Sequence, residues 1–152
     1  MYRLIVSDLD GTLLRDDHTI SEYTKSVIHK VSEQGIEFML ATGRIFGGAR
    51  KYARELKLNT PILACNGALI KEADGKLLYG KPLLENTLEE IFRKLTDRNV
   101  YFHCYAEESF YTEKIAGSLA TFYPFNSNQP EEGRFPMVEI DPMELIGKDT
   151  VY

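Results

Sequence analysis

The chain has 152 residues, of which 43% are hydrophobic and 27% charged, the usage of a globular protein and not of a disordered, collagen-like or low-complexity one. Its length accommodates one domain, or one small domain with part of a second, and is enough for a proper core. Lys and Arg total 18 against 23 Asp and Glu, a net charge of −5, which repels a polyanion and argues against a nucleic-acid partner. No apolar run approaches the roughly 18 residues of a membrane span, and Met1 to Asp10 carries two acids where a signal peptide needs a bare apolar stretch. A cytoplasmic protein with no membrane partner is therefore expected. Cys65 and Cys104 show no CxxC spacing and read as reduced core thiols.

In chain order, Tyr2 to Val6 is a short apolar run stopped by Ser7 and Asp8, the pattern of a buried strand. Ser21 or Thr19 can cap a helix of about three turns whose apolar positions are Val27, Ile28 and Val31, with Gly35 placed for its C-terminal turn. Ile36 to Ala41 reads as a second strand. The helical period of Ala49, Tyr52, Ala53 and Leu56 predicts a helix over Phe46 to Leu58, stopped by Pro61. Ile62 to Cys65 is a third strand, and strands alternating with helices of this length imply right-handed crossovers and a parallel sheet.

From Ala68 the rhythm changes. Ala68 to Lys71 and Leu77 to Tyr79 flank Ala73-Asp74-Gly75-Lys76, a hairpin signal. A domain boundary is expected near Gly80 to Pro82, dividing the chain into 1–81 and 82–152. Asn86 with Glu89 suggests a capping box ahead of the apolar stripe Leu88, Ile91, Phe92 and Leu95. Val100 to Tyr105 and Phe110 to Thr112 are rich in strand-favouring aromatics and predict a second hairpin. Phe122 to Pro136, with three prolines, predicts a loop.

If the first three runs are parallel strands, the residues just past their C-terminal ends are Asp8, Thr42 and Asn66, and open α/β sheets bind ligands in the crevice outside those ends. Asp8 and Asp10, followed by Gly11, place two carboxylates where a strand becomes a tight turn. A hard divalent cation would relieve their repulsion. The plainer reading is that both acids cap turns. Thr42 can equally be a helix N-cap, and Arg44 can reach a substrate or brace its loop. Gly43, Gly47 and Gly48 make no dinucleotide fingerprint. His18, His29 and His103 have no metal-ligand spacing and read as ordinary surface or core residues.

Asp8-Leu9-Asp10-Gly11-Thr12, Ala41-Thr42-Gly43-Arg44 and Cys65-Asn66-Gly67-Ala68, in this order at three strand ends, resemble the haloacid dehalogenase superfamily, specifically its Cof-type phosphatases with a large α/β cap. The resemblance runs along the whole chain. It implies a Rossmann-like parallel sheet, here partial, over 1–81, followed by an incomplete α+β cap inserted after the third strand, over 82–152. It further implies a phosphatase acting on small phosphorylated metabolites such as sugar phosphates. In that family's scheme Asp8 is the nucleophile that becomes an aspartyl-phosphate, and Asp10 is the general acid and base. The Asp8 carboxylate and the Asp10 carbonyl would ligate Mg²⁺. Thr42, with amides near Gly11 and Gly43, would hold the phosphoryl oxygens; Arg44, Asn66 and Gly67 would line the phosphate or substrate pocket.

Members of that family are considerably longer and carry a lysine and a later acidic motif, Gly-Asp-x-x-Asn-Asp in type, neither of which occurs here. The resemblance therefore implies an N-terminal portion, completed by the family's remaining length or by a second chain. Its alternatives are a non-catalytic remnant and a phosphomutase-like phosphotransferase. A receiver domain phosphorylated on aspartate is disfavoured, since it needs an acceptor carboxylate where Cys65-Asn66-Gly67 stands.

Overall fold

The computed structural model describes residues 2–127 and 134–152, and the chain divides into two compact units, Met1–Gly80 and Lys81–Tyr152. The first contains, in order, β1 (Leu4–Ser7), α1 (Glu22–Glu33), β2 (Glu37–Ala41), α2 (Phe46–Glu55), β3 (Ile62–Ala64), β4 (Leu69–Lys71) and β5 (Leu77–Gly80). These strands form one sheet in the order β1-β2-β3-β4-β5. The first three run parallel, with Ser7 opposite Leu40 and Ala41 opposite Leu63. β4 and β5 then add antiparallel to the β3 side, so the parallel Rossmann-like sheet is extended by its own hairpin and β3 is not an edge.

Local chemistry explains the helix ends. Ser21 caps α1 by accepting from the Thr24 amide at 3.0 Å. Gly35, at φ +77°, then ends it, with Ile36 N donating to Val31 O at 3.3 Å. α2 stops at Glu55 by the same device, not at Pro61. Lys57 takes the left-handed conformation at φ +55°, and the Leu58 amide donates to Ala53 O at 2.9 Å. The helix is thus shorter than its apolar period suggested, because Leu58 packs as the residue that closes the cap.

α2 carries the core of this unit. Phe46, Ala49, Tyr52, Ala53 and Leu56 are all at most 2% exposed, and Leu40, Ile62, Ala64 and Leu69 of the central strands are buried to the same degree. β1 behaves differently: Leu4, Ile5 and Val6 are 45%, 37% and 50% exposed. Because successive strand residues point to opposite faces, this strand is exposed on both, and as the outermost strand in the order it also presents an edge at which a further strand can pair.

The second unit contains α3 (Glu85–Asp97), β6 (His103–Tyr105), β7 (Phe110–Thr112), α4 (Gly117–Ser127), β8 (Met137–Glu139) and α5 (Pro142–Leu145). β6 and β7 pair antiparallel, as the aromatic runs predicted, and β8 joins β7 in parallel. Leu88 and Phe92 of α3 pack with Leu145 and Val151 into its core. The expected capping box does not form. Leu84 is the N-cap of α3, and Asn86 lies inside the helix with its side chain accepting from the Thr87 amide at 2.8 Å; acidic Glu85 meets the helix dipole instead. The loop expected over Phe122 to Pro136 is helical as far as Ser127, with Pro124 inside α4; residues 128–133 lie outside the described residues. The described helices include none long and apolar enough to cross a membrane.

Candidate active site

Parallel register brings the ends of β1, β2 and β3 to one edge of the sheet, and the three polar segments leave from there. After β1, Asp8 has extended backbone and accepts the Leu9 amide on Oδ1 at 2.7 Å. A wide turn over Leu9–Leu13 follows, closed by Leu14 N donating to Leu9 O at 2.9 Å and anchored by Leu9, which is fully buried. Both acids are thereby left facing outward on either side of a buried leucine. Gly11 sits at φ +69° with open space around it, so it is required there by backbone conformation and not by crowding.

The segments after β2 and β3 brace one another. Thr42 N donates to Leu63 O at 2.9 Å, Cys65 N to Arg44 O at 2.9 Å, and Asn66 N to Thr42 O at 3.2 Å. Cys65, Asn66 and Gly67 all have positive φ, at +50°, +54° and +91°; glycine adopts this freely, but for Cys65 and Asn66 it persists only where surrounding bonds over-determine it. A Cβ on Gly43 would stand 2.8 Å from Asn66 Oδ1, so a larger residue there would push the Asn66 side chain aside. Thr42 is buried, and its Oγ1 accepts the Arg44 amide at 3.2 Å. It does not cap α2, whose N-cap is Ile45.

Arg44 donates from Nε to Asp10 Oδ2 and from Nη2 to Asp10 Oδ1, both at 2.6 Å. This is a bidentate pair, the geometry for which guanidinium and carboxylate are matched. His18, which the sequence left as an ordinary residue, joins it: Nδ1 lies 3.3 Å from Arg44 Nη2 and 3.6 Å from Asp10 Oδ1. Tyr52 completes the group, its ring centroid 5.3 Å from the Arg44 guanidinium carbon. A tyrosine in the otherwise apolar stripe of α2 is the signal that could have found it, since a buried phenol hydroxyl requires a polar partner.

The Arg44 hydrogen bond holds the Asp10 carboxyl below its ordinary range. A carboxylate lowered in the folded state stabilises the fold at pH values above its ordinary pKa, and that contribution is lost as pH falls through the lowered value. Replacing Arg44 by Met is expected to return the Asp10 carboxyl to the ordinary range, read directly by carbon NMR titration. An unmoved titration would contradict the pairing.

Mg²⁺ requires hard oxygen donors and completes its shell with water and phosphate oxygens. Asp8 offers a carboxylate and Asp10 a main-chain carbonyl, so the residues fit such an ion in part. Among the described residues no group of three or more His, Cys, Asp or Glu is gathered about a common point.

The profile of the haloacid dehalogenase-like hydrolases matches residues 5–146. The chain belongs to this family. An HMP-PP phosphatase of Yersinia pestis is 31% identical over 147 residues, covering 97% of this chain and 52% of that protein. The crystal structure of a haloacid dehalogenase-like hydrolase from Bacteroides thetaiotaomicron aligns with a TM-score of 0.80 at 25% identity, over 99% of this chain and 56% of that one. A sugar phosphatase of subclass IIB shares the fold, with a TM-score of 0.72 at 18% identity over 99% of this chain and 56% of its own. The chain thus spans about half the length of the haloacid dehalogenase relatives it matches.

Proposed function

We propose that this chain carries the nucleophilic half of a Mg²⁺-dependent phosphomonoester hydrolase that acts on small phosphorylated metabolites, sugar phosphates among them, through an aspartyl-phosphate. The observation that carries the reading is the Asp8-to-Asp10 turn at the end of β1, with Asp10 gripped by Arg44 from the end of β2, in a chain of hydrolase family. An Asp8 carboxylate oxygen attacks phosphorus and the ester P–O bond breaks, its electron pair leaving with the alkoxide. The Leu9 amide on Oδ1 sets the direction of the other oxygen. Asp10 gives a proton to the alkoxide and then takes one from the water that attacks phosphorus of the aspartyl-phosphate, so that the P–O bond to Asp8 breaks, its carboxylate returns and inorganic phosphate leaves.

Mg²⁺, held by the Asp8 carboxylate and the Asp10 carbonyl, supplies charge neutralisation between the anionic nucleophile and the phosphate dianion. Arg44 keeps Asp10 ionised, which suits the base half of the cycle. For the acid half, Asp10 must carry its proton on an oxygen that the guanidinium has released. The Thr42 hydroxyl and the amides about Gly11 and Gly43 are donors for the phosphoryl oxygens, while Asn66 and Gly67 shape the pocket floor. The partner in this reading is the remaining portion of the family's length, or a second chain, bringing a lysine and further acidic ligands.

Hydrolysis of p-nitrophenyl phosphate tests the reading. Turnover that requires Mg²⁺ and stops with chelator is expected, either from this chain alone or after the remaining family length is supplied. Metal-independent turnover, or none in either form, would overturn it.

A further inference from the structure

The two bonds from Arg44 to Asp10 settle where the carboxylate goes only if the guanidinium is itself fixed, and a long side chain on a loop is not fixed by its own backbone. Tyr52, two turns further along the chain on α2, is 2% exposed and lies against that guanidinium. Its Oη stands 3.4 Å from Arg44 Nη1 and donates to the His18 carbonyl at 2.9 Å. The phenol has one proton, and giving it to the carbonyl leaves lone pairs to face the arginine. Burial raises the Tyr52 pKa and so keeps that proton in place.

The His18 carbonyl belongs to the loop that follows the Asp8–Asp10 turn. That loop is folded by Arg15 N onto Thr19 O at 3.0 Å and His18 N onto Arg15 O at 2.9 Å, with His18 itself at φ +59°. One hydroxyl therefore links α2, the Arg44 segment and the loop whose histidine faces Asp10.

We infer that Tyr52 is a positioning residue, whose ring and hydroxyl fix the Arg44 guanidinium and the Arg15–Thr19 loop and, through them, the Asp10 carboxylate. The inference rests on the role given to Asp10 above, and Tyr52 touches no reacting atom. Replacing Tyr52 by Phe keeps the stacked ring and deletes the hydroxyl with both of its contacts.

The test is nitrogen-edited NMR on the whole chain, with the Arg44 Nε–H resonance assigned by its loss in Arg44→Met. In Tyr52→Phe, solvent exchange of Arg44 Nε–H and of the His18 amide is expected to rise about tenfold, the scale of one lost hydrogen bond. Thr60→Val is the structural control. It deletes the 2.6 Å bond from Thr60 Oγ1 to Phe38 O, at the opposite end of the strands, and must leave the Arg44 signal unmoved.

In the active form kcat should fall about tenfold for Tyr52→Phe with KM within about twofold. Signals unchanged in a folded Tyr52→Phe, or moved equally by Thr60→Val, overturn the inference. Should the variant not fold, the unsubstituted chain decides: the Tyr52 hydroxyl proton must exchange at least about tenfold more slowly than that of exposed Tyr2, and equal rates overturn it. If the chain shows no turnover the NMR results still stand, so failure of the hydrolase reading and failure of this one are separate outcomes.

Discussion

Replacing Asp8 by Asn is expected to abolish phosphatase turnover, by about 10⁴-fold or more, while leaving the fold intact. The amide keeps an oxygen to accept the Leu9 N–H, so the turn over Leu9–Leu13 can still close. What is lost is the anionic oxygen that attacks phosphorus, and with it one donor to Mg²⁺. Loss of both roles at one position makes this the largest effect expected of any single substitution. Circular dichroism and turnover together check it. A variant that keeps wild-type structure and more than about a tenth of the rate would remove Asp8 from the nucleophile's place.

The second large effect is on stability. Phe46 opens α2, is fully buried, and lies under the Lys71 ammonium at 5.0 Å and the Arg50 guanidinium at 5.2 Å. Truncation to Ala removes the ring from the centre of the first unit and leaves a cavity that neighbouring Ile45 and Ala49, themselves fully buried, cannot fill. The expected cost is about 3 to 5 kcal/mol, a large share of the roughly 5 to 15 kcal/mol that a small domain has in total. The thermal midpoint should fall by roughly 15 °C or more. Calorimetry measures it, and a shift below about 5 °C would mean that α2 is not packed as described. Because Phe46 stands two residues after Arg44, the same variant should also loosen the Asp10 pair.

Much of this organisation could be read before any coordinates, for local reasons. Apolar runs bounded by polar residues located β1 to β3, since a strand buried in a parallel sheet needs no alternation. Ser21 or Thr19, Gly35 and Asp74-Gly75 marked a cap, a helix stop and a hairpin turn, where residue type strongly biases backbone geometry, and the structure selects Ser21 for the cap. The three strand-end motifs pointed to one edge because parallel topology forces their ends together.

What escaped was set by tertiary context. Lys57 ends α2 in a conformation that lysine does not favour by itself, so sequence pointed to Pro61. Asn86 is a good capping residue, but the helix begins before it, at Glu85. Pro124 argued for a loop because a proline inside a helix removes a bond and crowds the carbonyl four residues back, yet α4 continues through it to Ser127. The exposed faces of β1 follow from which neighbours are present, and not from the sequence of β1, which reads as buried. Around the candidate site, His18 and Tyr52 lie 34 residues apart and meet through a backbone carbonyl, a contact that side-chain motifs do not encode.

A covalent phosphoryl group on Asp8 is detected most directly by chemical trapping. The chain, in whichever form turns over, is mixed with a phosphomonoester and Mg²⁺, quenched in acid, and reduced with borohydride, which converts an aspartyl-phosphate to homoserine. Peptide mass mapping then locates the reduced residue. Homoserine at position 8, absent when substrate is omitted, is the predicted result. Reduction at another aspartate, or none while turnover proceeds, would contradict the account.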